Sequence, residues 1–389
     1  MQKEEGKRAK KVHSALNTVR TCIIALFVIV VVCALVFNAK SINMDNIRRL
    51  LAKIDYSMNS SAKGGTISFT ANENNVILPF KGGIAVQATD GLTIFDKTGN
   101  EFSNFNITYK NPILKASEKY LLACDHDGKS LKVTNSFAVL FEKEFTFKIR
   151  NTAVSDSGSF AILQAADGYK STVTVFSSNF KEEFSASFAD RYVMDLALSA
   201  DGRTIAVCSL MPENGITNTV ISLYRTNEDK AFKEIKIEKT EVFKMEFVSS
   251  DNIVAISSDS TYFYNKQGEE QSKLNFDGNL LLSYDLTNPE YSTFITSSSV
   301  NDSAAKIYIS DNRKTVMTAD LEEVPMSIGE LNSGVALLYH DRVTQIKYSK
   351  TKLLETEVQK MDKEISKILT SNNTVYLVEG NQITSIEVS

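Results

Sequence analysis

A chain of 389 residues with 43% hydrophobic and 23% charged side chains can bury a large core, which excludes extensive disorder. The net charge of −4 conceals an asymmetry: residues 1–20 carry six Lys/Arg against two Glu, Lys40 adds one more positive charge, and the chain from 41 onward therefore carries −9. A mildly acidic body of this kind repels phosphate backbones, so nucleic acid is excluded as a partner.

Residues 1–20 read as a basic tail, and the run from Thr21 to Phe37 follows with 17 residues and no charge. As a helix it would be about 25 Å long, the short end of a membrane span. A cleaved signal peptide is the competing reading, but Phe37 is bulky where the cleavage site wants a small residue, and Val30 to Cys33 make a poor lipoprotein box. The expectation is one transmembrane helix over 21–39. Lys7, Arg8, Lys10, Lys11 and Arg20 precede it and only Lys40 follows closely, which places the N-terminus in the cytoplasm and the C-terminal domain outside a cell membrane crossed once. Next comes a segment, 40–63, in which Met44, Ile47, Leu50, Leu51, Ile54 and Met58 recur at helical spacing with Arg48, Arg49 and Lys53 off the stripe. It predicts a short amphipathic stem helix, packed either on its own domain or on lipid or a partner. The stretch Asn59 to Gly65 ends it as a flexible joint.

From 64 to 389 the pattern is all-β. The recurring unit is a pair of strands, seen at Gly83 to Asp96, Tyr120 to Thr134, Phe160 to Phe176, Thr204 to Tyr224, Asn252 to Tyr264, Ser292 to Ile309, Gly334 to Tyr348 and Asn373 to Val388. The second strands of these pairs begin near Leu92, Leu131, Val173, Ile221, Thr261, Ile307, Val343 and Ile383, at spacings of 39, 42, 48, 40, 46, 36 and 40 residues. A period of about 42 residues with four short strands per unit predicts propeller blades. The unit count gives an eight-bladed β-propeller, with seven blades as the alternative if one unit is irregular. The chain stops just after the third strand of the eighth unit, while residues 65–72 form a strand with no unit of their own. They are therefore expected to close the last blade. Cys124 and Cys208 fall mid-strand two units apart, too far to bridge, so no disulfide framework is expected.

One segment carries a resemblance. Ser199-Ala-Asp201-Gly202 followed by Ile205-Ala-Val looks like the TolB-type and WD-like propeller repeat, and Ser155-Asp-Ser-Gly158 is a looser copy. These residues form turns: Asp bonds the turn's own amides and Gly takes the left-handed position. The whole layout of basic tail, single span, stem and Trp-free propeller is similar to a family of uncharacterised anchored propeller proteins of Gram-positive bacteria, catalogued as a domain of unknown function. That resemblance brings no activity with it.

Candidate chemistry is sparse. His126 with Asp127, and His340 with Asp341, fall in turns between the second and third strands of units two and seven, on the face that also carries the blade-to-blade crossovers. A histidine pair could serve as general base or metal ligand, but three blade steps separate the two, and solvated turn residues are the plainer reading. Asp125 and Asp127 start like a calcium loop yet lack the later Glu, so no metal is expected. Asn214-Gly215 and the stretch 300–304 mark the two longest turns of this class, and Asn214 joins the candidate contact points. No tryptophan is available to dock a quinone between blades, and no phosphate loop or nucleophile elbow occurs, so no cofactor is expected. The expected function is a non-catalytic, membrane-anchored scaffold that binds a protein or glycan of the cell envelope through its face loops. The alternative is an extracytoplasmic hydrolase or lyase with His126, His340 and nearby Asp at the propeller mouth.

Overall fold

The computed structural model describes residues 65–70, 74–88, 90–300, 303–348 and 355–388. Within them the strands group into eight four-stranded antiparallel sheets. Blade 1 spans 76–105, blade 2 112–144, blade 3 149–188, blade 4 192–237, blade 5 242–275, blade 6 280–321 and blade 7 327–360. Blade 8 takes three strands from 367–387 and its outermost one, Thr66–Ser68, from the start of the domain. The eight-bladed count therefore stands. Among the described residues no helix is long and apolar enough to cross a membrane. The expected span, 21–39, and stem, 40–63, lie outside the described residues.

In most blades the second and third strands are largely buried, because both of their faces meet neighbouring blades; Gln382–Glu387 of blade 8 alternates between exposed and buried instead. Gly83–Ala88 and Gly91–Phe95 are buried at every position with a described side chain. Such strands need continuous small and β-branched runs rather than alternation, and that is the repeat visible in the sequence. The apolar clusters lie between blades. Leu163, Val173 and Phe184 of blade 3 pack on Leu196, Ile205 and Tyr224 of blade 4. Blade 4 in turn gives Ile221 and Leu223 to Met245, Ile253 and Tyr262 of blade 5. Between blades 2 and 3 aromatics do this work, with Phe141 tilted against Phe160 at 5.4 Å and Phe145 edge-on to Phe176 at 5.8 Å.

The ring closes between blades 8 and 1. Thr66, Ile67 and Ser68 pair with Thr384, Ile383 and Gln382. Ile67, Tyr376, Val378 and Ile383 of blade 8 share one cluster with Ile77, Ile84 and Val86 of blade 1. Polar links reinforce the joint: the Tyr376 hydroxyl donates to the Gly82 carbonyl at 3.0 Å, and Lys97 Nζ lies 3.2 Å from Glu387 Oε1.

The Ser-x-Asp-Gly turn joins the first and second strands of blade 4. Ser199 Oγ and the Arg203 N–H both donate to Asp201 Oδ1, at 2.7 and 3.0 Å, and the Thr204 N–H donates to Ser199 Oγ at 2.9 Å. Gly202 has φ +70, and a Cβ built there would lie 2.6 Å from Ser159 Oγ in the matching turn of blade 3. Gly202→Val combines left-handed strain with a clash against the next blade, and a loss of about 2 kcal/mol or more is expected in denaturant titrations.

Candidate functional site: the crossover face and the axial channel

A propeller has two faces. Here one carries the crossovers between blades together with the turns joining second to third strands; the other carries the remaining turns. His126, Asp127, Asn214, His340 and Asp341 all belong to the crossover face, but on blades 2, 4 and 7. His126 is exposed, with Nδ1 3.9 Å from Asp127 Oδ2, and Arg150 Nε stands 3.9 Å from the other oxygen of that carboxylate. Asp127 occupies the left-handed region at φ 57, as a hairpin turn requires. Asp341 accepts from Arg342 Nη1 at 2.7 Å, while Arg342 Nη2 bonds Glu323 at 3.0 Å. The two histidines are thus held in separate local turns. Asn214 differs from expectation: strands Thr204–Glu213 and Ile216–Arg225 run ten residues each, so the insertion lengthens a hairpin instead of forming a long loop. Asn214 at φ 51 and Gly215 at φ 78 make its tight tip. Among the described residues no three His, Cys, Asp or Glu side chains are grouped to hold a metal ion.

The innermost strands line an axial channel whose inner edge has no fifth strand to pair with. Inward-pointing charges fill that role. Asp195, 5% exposed, accepts from Asn151 Nδ2 of blade 3 at 2.8 Å, from the Met245 N–H of blade 5 at 2.8 Å, and lies 3.7 Å from Lys244 Nζ. Burial pulls the Lys244 pKa down, but Glu246, at 3.0 Å, and Asp195 outweigh it and hold the ammonium above the ordinary lysine range. Lys115 of blade 2 goes the other way: burial, and then repulsion from Lys244, lower it. The same device links blades 6 and 7, where Asp285 Oδ2 accepts the Glu330 N–H at 3.0 Å. Burial raises the Asp285 pKa and drives Glu330 up to about 10, with Asp285 adding to the latter. A cavity of about 510 Å³ opens beside Lys115, Asp156, Lys244 and Glu246, at the end of the channel away from the crossover face. Its carboxylates and ammoniums are largely spent on each other and on backbone, a structural use of charge. The charged residues on the innermost strands stand alone between apolar neighbours, as in Met194-Asp195-Leu196 and Gly329-Glu330-Leu331, and that was the available signal.

The mouth of the crossover face is different. Nine large apolar side chains stand exposed among the described residues, and eight of them are on this face. Tyr192, Met194, Phe243, Leu280 and Met326 sit at the starts of the innermost strands of blades 4 to 7, and Tyr169, Ile216 and Val300 crown the turns of blades 3, 4 and 6. The innermost strands of blades 3 to 6 each slip register by one residue, at Arg150, Met194, Phe243 and Leu282. Those of blades 1, 2, 7 and 8 pair without a shift. A bulge re-aims a side chain, and Met194 and Phe243 are 46% and 47% exposed at such positions.

The fold is shared with proteins of unrelated sequence. The computationally designed Ika8 protein aligns over 84% of this chain and 100% of its own at 11% identity, with a TM-score of 0.60. Sqt1 of Saccharomyces cerevisiae aligns over 84% and 99% at 9% identity and TM-score 0.56. BamB from Moraxella catarrhalis aligns over 84% and 99% at 10% identity and TM-score 0.51. At these identities the likeness concerns the fold alone. Among curated proteins no relative matches the sequence. The model of a family of unknown function, DUF5711, matches residues 54–388, and the chain belongs to that family.

Proposed function

We propose that this protein is a non-catalytic scaffold, anchored in the cell membrane by residues 21–39, that receives a protein of the cell envelope on its crossover face. The observation that carries the reading is the gathering of eight of the nine exposed large apolar side chains on that face. Single exposed apolar residues are ordinary on any surface, but a cluster of them marks a contact area. Confinement to a surface raises the effective concentration of such a domain for an envelope partner.

A photo-crosslinking residue placed at Leu280 in the full chain, in intact cells, is expected to yield a discrete adduct. The same group at Lys266, on the other face, is expected to yield none. Adducts of equal intensity from both positions, or none from Leu280, would sink the proposal.

A further inference from the structure

The charges around the mouth say what kind of partner fits it, and the inference that follows rests on the scaffold reading above. In four successive crossovers a carboxylate stands just ahead of an exposed apolar side chain: Asp190 before Tyr192, Glu241 before Phe243, Asp277 before Leu280 and Glu322 before Met326. Asp190 is engaged by Arg191 at 3.2 Å. Glu241, Asp277 and Glu322 are exposed and have no cationic partner among the described residues. The other side of the face is more basic and less apolar: Lys110, Lys129, Lys148 and Arg150 are exposed on the crossovers and turns of blades 1 to 3, with Asp127 and Asp167 between them, and Tyr169 is the single exposed large apolar side chain there among the described residues.

We infer that the half-mouth of blades 4 to 7 receives a basic amphipathic protein segment, its apolar residues against Met194, Phe243 and Leu280 and its Lys or Arg side chains against Glu241, Asp277 and Glu322. Charge complementarity argues for this occupant over the others. An anionic lipid surface would meet the same carboxylates with repulsion. A second copy docked face to face about a two-fold axis would set the lysines of blades 2 and 3 over the carboxylates of the other copy, but would leave the apolar groups of each opposite polar surface. A segment with alternating apolar and cationic side chains satisfies both kinds of group at once.

The test uses the full chain in phosphatidylcholine nanodiscs and three synthetic 14-residue probes, each with a photo-crosslinker. One combines Leu and Lys at amphipathic spacing, one replaces Lys by Glu, and one replaces Leu by Ser. Crosslinks of the Leu/Lys peptide, mapped by mass spectrometry, are expected within residues 189–194, 238–243, 276–282 and 322–326. The yield is expected to fall at least tenfold in Phe243→Ser/Leu280→Ser and in Glu241→Gln/Asp277→Asn/Glu322→Gln, and to be at least tenfold lower for either control peptide. All five substituted residues are exposed, so an unchanged thermal midpoint certifies the variants as folded. Crosslinks spread over both faces, equal labelling by the Leu/Glu peptide, or yields within twofold in either variant would overturn the inference. So would a dimer, seen by mass photometry, that Phe243→Ser/Leu280→Ser dissolves. If the inference fails while Leu280 still yields its discrete adduct in cells, the scaffold reading stands and only the chemistry of its partner is wrong.

Discussion

Excising residues 65–72 is expected to unfold the propeller at temperatures where the intact chain is fully native. The strand Thr66–Ser68 is short, but it builds the first described segment of the domain into its last blade. Without it, blades 8 and 1 meet as two sheet flanks held by the Tyr376 hydrogen bond to Gly82, the contacts of Lys97 with Glu387 and Ser385, and a cluster that has lost a fully buried member. Ile67 is that member, 1% exposed between Ile77, Ile84, Val378 and Ile383. Ile67→Ala alone is expected to cost about 3 kcal/mol, the loss for a buried aliphatic side chain that leaves a cavity its neighbours only partly fill. Ser68→Ala, which alters an exposed position of the same strand, should change stability by no more than about 0.5 kcal/mol. A closed ring adds cooperativity, because each blade shields the flanks of two others; opening it exposes flanks on both sides of the gap. Denaturant titration of the full chain and the variants, followed by far-UV circular dichroism, separates these cases. A midpoint unaffected by the excision would show that the ring does not depend on its clasp.

The parts of this fold legible in the sequence are those whose burial leaves no freedom. The second strand of each blade is covered on both faces, so Leu121–Asp125 or Asn252–Ser257 reads as a compact apolar run and its recurrence sets the period. The closing strand, Thr66–Ser68, was legible for a different reason: a β segment ahead of the first repeat has no unit of its own to pair within. The innermost strands were not. Asp195, Lys244, Asp285 and Glu330 interrupt their alternation, and the register slips at Met194, Phe243 and Leu282 shift its phase, so neither a period of two nor an apolar run marks them. The site suffered accordingly. Sequence reasoning looked for chemistry in rare residues and singled out His126 and His340, which the structure holds in separate turns. It passed over Phe243 and Leu280 because an apolar residue at the edge of a strand reads as core. Only the three-dimensional arrangement shows that these side chains share one rim and that carboxylates precede them. At Asn214 only the turn length differs from expectation: an insertion between two strands can lengthen a hairpin as readily as it can make a loop.

Glu330 carries the other large expected effect, and it concerns pH. Its side chain is 4% exposed, Oε1 accepts from Thr293 Oγ1 at 2.7 Å, and Oε2 has no hydrogen-bond partner among the described residues. Burial, with Asp285 as the neighbouring acid, pushes its pKa from an ordinary 4.5 up to about 10. The folded protein therefore keeps a proton that the unfolded chain releases above pH 4.5. The stability associated with that proton is fully present below the unfolded value and erodes as pH rises, until Glu330 ionises in the fold as well. At about 1.4 kcal/mol per pH unit, the penalty accumulated by pH 7 is about 3 kcal/mol. Glutamine presents the same shape as the protonated acid, can accept from Thr293 through its oxygen, and does not titrate. Glu330→Gln is thus expected to be more stable than the parent at pH 7 by up to about 3 kcal/mol and equal to it at pH 4, with the difference widening smoothly between. Urea titrations at half-unit pH intervals measure this directly. Parallel stability curves for the two proteins would mean that the Glu330 carboxyl is ionised in the native channel, and that Asp285 and Glu330 meet as two anions held apart by something other than a proton.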